Sequence, residues 1–103
     1  MNLIWDERSL LQLQSVADYI RGSFGVKRKN VFLREVKDTT MLLLSHPYMG
    51  VKEPLLQDRS KSYRVVLIHS LSKMAYYVEN NTIHIMAFWD VRCNAENKTH
   101  HLL

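Results

Sequence analysis

Three basic residues, Arg64, Lys73 and Arg92, stand in or just after the strand-like second half of this sequence, with aromatic and histidine residues between them. Guanidinium and ammonium groups gathered on one surface hold phosphate and stabilise negative charge that develops on it. Tyr77 and Phe88 offer rings on which a base stacks. His84 and His69 carry imidazoles that exchange protons near neutral pH. The chemistry such a set would serve is holding phosphate and stacking a base. A plainer reading accounts for the same residue types. Charged side chains solvate a sheet face, and His84 is simply the cross-strand partner of Tyr77.

Other chemistries find less support. The five histidines and the single cysteine, Cys93, show no metal-ligand spacing. There is no glycine-rich phosphate loop, serine elbow or Cys-His signature. Cys93, beside Arg92, reads as a bystander thiol. His46 reads as a loop residue, and His100 and His101 fall in the terminal segment.

The elements that must position these residues follow from hydrophobic spacing. Residues 3–5 suit a short opening strand. Asp6 or Ser9 then offers an N-cap, and Ser9 with Gln12 has capping-box spacing. Leu10, Leu13, Val16, Ala17, Ile20 and Phe24 recur at helical spacing, and Gly22 and Gly25 close that helix. A second helix starts near Val26, with Phe32, Val36, Thr40 and Leu43 on its inner face, and stops before Pro47. The short connection makes the two helices an antiparallel hairpin. HPYMGVKEPLLQDRSKS reads as a loop, and strands follow at 63–69, 73–79 and 82–90. Asn80-Asn81 is a two-residue hairpin signal that pairs Val78 with Ile83 and Tyr76 with Ile85. The expected class is α+β, with an N-terminal helical hairpin on one face of a curved antiparallel sheet.

Pleat parity assigns the faces. Counted from the Asn-Asn turn, Met74, Tyr76, Val78, Ile83, Ile85, Ala87 and Trp89 face the helices. Lys73, Tyr77, His84, Met86, Phe88 and Asp90 face away. An even connection around residues 70–72 puts Tyr63, Val65 and Leu67 on the core face and Arg64, Val66 and Ile68 on the open one. An odd connection would turn Arg64 inward, and burying an unpaired guanidinium is costly. On this register Arg64, Lys73 and Arg92 converge on one surface.

The chain has 103 residues, 47% hydrophobic and 23% charged, with 3 Gly and 2 Pro. That suits one ordered domain over residues 1–103, with a flexible tail from about residue 95. One cysteine precludes an intrachain disulfide and suits a reducing compartment. No apolar run reaches membrane-helix length, and MNLIWDERS lacks a signal-peptide pattern, so the expected location is cytoplasmic with no membrane partner. The net charge of +4 and pI near 9.4 are compatible with a polyanion or an acidic protein partner.

The segments LQLQSVADYIRGSFG, LLLSHPYMG and SYRVVLIHSLSKMAYYVENNTIHIMAFWDVRCN, in that order and spacing, resemble the RelE/ParE superfamily of type II toxin–antitoxin toxins. The resemblance covers about residues 3–94. It implies a cognate antitoxin that wraps the toxin, and no cofactor. It also implies ribosome-dependent cleavage of messenger RNA, in which a ribose 2′-hydroxyl attacks the adjacent phosphate. By matching position the catalytic roles fall on Arg64, Lys73 and Arg92. His84 and His69 are then the proton-transfer candidates, with His100 or His101 as alternatives, and His69, Tyr77 and Phe88 are the expected substrate contacts. Ribonuclease members often carry Tyr or His soon after the last arginine, whereas Cys93, Asn94, Ala95 and Glu96 follow here. The alternative within the same resemblance is a ParE-like toxin that poisons DNA gyrase without nuclease activity.

Overall fold

The computed structural model describes residues 1–53 and 61–93. Residues 54–60 of the expected loop, and the expected tail with His100 and His101, lie outside the described residues. The elements run β1 (Asn2–Trp5), α1 (Glu7–Phe24), α2 (Val26–Ser45), β2 (Val51–Lys52), β3 (Arg64–Ile68), β4 (Ser72–Glu79) and β5 (Thr82–Asp90). The strands form one sheet in the order β1-β5-β4-β3-β2. β1 lies parallel to β5 and every other pairing is antiparallel, so the sheet is mixed. The expected α+β class holds: two helices pack on one face of this sheet.

Asp6 caps α1, its carboxylate accepting the Ser9 N–H at 2.7 Å. Ser9 is buried one turn into the helix. Its Oγ donates to the carbonyls of Asp6 (2.9 Å) and Ile85 (3.0 Å), so it ties the start of α1 to β5. Gly25 ends α1 and opens α2 at φ +97, a backbone angle that favours glycine. Val16, Ala17 and Ile20 of α1 and Phe32, Val36 and Leu43 of α2 are buried against Met74, Tyr76, Ile83 and Ile85 of the sheet. Leu10, Leu11 and Phe24 stay exposed, so the buried face of α1 is narrower than its apolar stripe. The Asn80-Asn81 turn has both residues at positive φ, and the pairs Val78–Ile83 and Tyr76–Ile85 form as expected. The strand at Val51–Lys52 falls inside what reads as loop.

Two parity assignments are corrected. Ala75 pairs with Ala87, but Tyr76 pairs with Ile85, so Met86 is an extra residue in β5. This β-bulge reverses the faces beyond it. Phe88 and Asp90 turn inward and are buried, while Ala87 and Trp89 turn to the open face. The Phe88 ring packs edge-on to Phe32 at 5.8 Å and tilted on Trp5 at 6.1 Å. The β3–β4 connection is odd, because Ile68 pairs with Ser72. Residues 69–71 close it, with His69 and Ser70 at positive φ. Val66 and Ile68 are therefore core residues, Leu67 is 55% exposed, and Arg64 falls on the helix side.

This register predicts opposite outcomes for two apolar residues. Phe88→Ala should cost about 3–5 kcal/mol, and Leu67→Ala no more than about 0.5 kcal/mol, both read from urea unfolding. The register expected from parity alone reverses that ranking.

Candidate functional site

Arg64 stands on the helix side of β3, opposite Tyr76. Its guanidinium is not left unpaired there. Nη1 donates to the carbonyls of Tyr48 (3.0 Å) and Gly50 (2.8 Å), and the group lies 5.2 Å from the Tyr48 ring centre. The Tyr76 hydroxyl completes this clasp, accepting the Gly50 N–H and donating to the Pro47 carbonyl, each at 2.9 Å. A Cβ on Gly50 would lie 2.7 Å from that hydroxyl, so the close approach needs glycine. Burial pushes the Tyr76 pKa up, against smaller opposing effects of the Gly50 N–H and Arg64, and the phenol stays a donor. The cost that argued against an inward Arg64 is thus removed by backbone acceptors at the end of α2.

Arg92 lies at the other end of the sheet, roughly 13 Å or more along the strands at ~3.3 Å per residue. It grips Asp90 through Nε–Oδ1 (2.9 Å) and Nη2–Oδ2 (2.7 Å), while its backbone N–H donates to Oδ1 (2.8 Å). The Ser72 hydroxyl donates to Asp90 Oδ2, and the Arg92 guanidinium lies 5.8 Å from the Phe32 ring centre. Burial pushes the Asp90 carboxyl up. The bonds from Arg92 and Ser72 outweigh it, and the net pKa is lowered. Burial and Asp90 push the neighbouring Cys93 thiol up to about 11, which leaves it protonated and unreactive at neutral pH.

Lys73 is separate from both arginines. It projects from the opposite face of β4, between Leu67 of β3 and Trp89 of β5, and its ammonium meets no acceptor among the described residues. The structure therefore disperses the three cations to two ends and two faces of the sheet.

The histidines and rings are likewise distributed. His84 pairs with Tyr77 and stacks on it at 4.6 Å, 10° from parallel, as the plainer reading expects. Tyr63 meets Tyr77 edge-on at 5.6 Å, and Lys61 Nζ lies 5.1 Å from the Tyr77 ring centre. His69, in the β3–β4 turn, pairs with Glu35 of α2 at 2.9 Å. Phe88 is fully buried and cannot line a substrate site; the bulge at Met86 is the reason. Sequence reasoning missed a cleft of about 350 Å³ at the β3 start, where Lys52 and Lys61 join Arg64 with Tyr48, Tyr77 and Glu79. The signal for it was weak, because Lys52 belongs to a two-residue strand set in loop-like sequence. Among the described residues no three His, Cys, Asp or Glu side chains gather as a metal site, and no helix is long and apolar enough to cross a membrane.

The Asp90 geometry yields a pH test. Its folded pKa is depressed, so its stabilisation is complete above the unfolded value near ~4 and is lost as pH falls through the folded one. Asp90→Asn should cost about 3 kcal/mol at neutral pH. The gap from wild type should narrow as pH drops below about 4, seen as converging urea midpoints.

No protein-family model and no curated protein matches this sequence. Among solved structures, a chain of the chromosomal ParDE TA system from P. aeruginosa superposes with a TM-score of 0.71. The match covers 88% of this chain and 96% of that one at 15% identity. The likeness is one of fold, and it spans both the helical hairpin and the sheet on which the candidate residues stand: this chain has the fold of that ParDE protein.

Proposed function

We propose that this protein is the toxin of a type II toxin–antitoxin pair, and that it arrests growth by binding a protein target, DNA gyrase, rather than by cutting RNA. The fold shared with a chain of a ParDE system over nearly all of that chain supports the toxin reading. For the mode of action, the carrying observation is the dispersal of Arg64, Lys73 and Arg92. Each arginine already holds protein acceptors, Arg64 two backbone carbonyls and Arg92 the Asp90 carboxylate. A phosphate clamp needs such groups convergent and available. A cognate antitoxin belongs to the same reading, and the groove of about 680 Å³ between α1 and the end of β5, lined by Leu11, Val16 and Tyr19, offers it apolar surface.

Ribosome-dependent cleavage of messenger RNA is the second reading. The cleft that gathers Lys52, Lys61 and Arg64 favours it, because that is where cations do converge.

One purified sample distinguishes the two. The first reading expects inhibition of gyrase supercoiling with accumulation of cleaved DNA, and a coupled translation reaction left at its normal rate. Truncated messenger RNA in the translation reaction, with supercoiling untouched, would establish the second reading and overturn the first.

A further inference from the structure

The helices cover one face of the sheet, and none of the described elements covers the other. Four cross-strand rows define that open face, the last being the polar row of Glu79, Thr82 and Asn2. Leu67, Lys73 and Trp89 form one, and Val51, Val65, Ala75 and Ala87 the next. Tyr77 and His84 lead to Ile4 in the third. An antiparallel sheet with one solvated face normally alternates apolar-in with polar-out. Here the first two rows are apolar apart from Lys73: Val51 is 75% exposed and Leu67 55%, while the small Ala75 between them is buried. Exposed apolar surface of this kind, rimmed by polar residues, marks an interaction site. In its midst stands Lys73, whose ammonium has no acceptor among the described residues.

We infer that this open face is the surface on which the protein target docks, and that the complementary surface is apolar with a carboxylate placed over Lys73. This rests on the gyrase reading above and names the surface that would serve it. The row Leu67–Lys73–Trp89 sets an indole, a side chain enriched among interface anchors, beside an aliphatic contact and a cation. An acidic partner suits the lone cation and the net charge of +4. A nucleic-acid strand fits less well. Sequence-independent binding of a strand takes several phosphate-facing cations; the rows themselves hold only Lys73, with Lys61 meeting the face at Tyr77. The faces of Tyr77 that would stack a base are already engaged by His84 and approached by Lys61.

The test uses the full chain, purified DNA gyrase holoenzyme, and the variants Leu67→Glu and Lys73→Glu, with Lys27→Glu on the exposed side of α2 as control. Leu67→Glu and Lys73→Glu should each raise the concentration needed for half-inhibition roughly tenfold or more. Lys27→Glu should leave it unchanged, and all three variants should keep the wild-type melting temperature. Unaltered inhibition by Leu67→Glu and Lys73→Glu, with wild type active, overturns the docking face and leaves the gyrase reading standing. Wild type that does not inhibit gyrase overturns both. A large fall in melting temperature for Leu67→Glu would mean that this chain itself covers the face. A wild-type dimer that Leu67→Glu dissociates would assign the face to a second copy, and loss of single-stranded RNA binding in Lys73→Glu would assign it to nucleic acid. Each of these three results overturns the proposal.

Discussion

The extra residue in β5 decides which side chains the last strand turns toward the helices. With Met86 inserted opposite the Ala75–Tyr76 step, the pleat reverses, and everything beyond it changes face. Phe88 then reaches Phe32 and Trp5, joining α2, β5 and the chain just before α1 in one aromatic contact. Gln12 of α1 accepts the Phe88 N–H at 2.9 Å, so the helix also caps the strand edge that β1 leaves unpaired. Two residues later the same reversal brings Asp90 inward to Ser72, and Arg92 closes over the buried carboxylate. Without the bulge Asp90 would face solvent and Arg92 would have no buried anion to bind.

The two ends of the sheet are secured by different chemistry. At the Arg92 end the device is a charge pair whose carboxylate is shielded from water and fully hydrogen-bonded, the condition under which a buried charge is tolerated. At the Arg64 end a guanidinium and a phenol share the backbone groups of residues 47–50 left at the exit of α2. Both arginines therefore act as clasps on chain segments that would otherwise lack partners. Among the described residues, surface available to another molecule includes the groove along α1, the sheet face opposite the helices and the cleft where Lys52 and Lys61 approach Arg64.

The helical hairpin was legible in the sequence because its determinants are local. Apolar spacing marks Val16, Ile20, Phe32, Val36 and Leu43, and glycine at residue 25 meets the one backbone angle the junction demands. The Asn80-Asn81 hairpin was legible for the same reason, and with it the pairs on either side as far as Tyr76. The candidate site was legible only as residue types. Arg64, Lys73, His69, His84 and Tyr77 all lie on or beside the sheet, but which of them share a surface depends on register, and a shift of one residue reverses it.

The sequence by itself determined the element order, the class of fold and the core of the hairpin, since each follows from periodicity and turn chemistry within a few residues. Only the tertiary structure decided the bulge at Met86, the odd β3–β4 turn and the parallel seating of β1 on β5. These depend on contacts between residues far apart in the chain: Phe88 with Phe32, Arg64 with the carbonyls after α2, and Ser9 with Ile85. Parity counting assumes an uninterrupted pleat and treats an inward arginine as unpaired. The folded chain breaks the first assumption with one extra residue, and removes the second with two backbone acceptors 14 and 16 positions away.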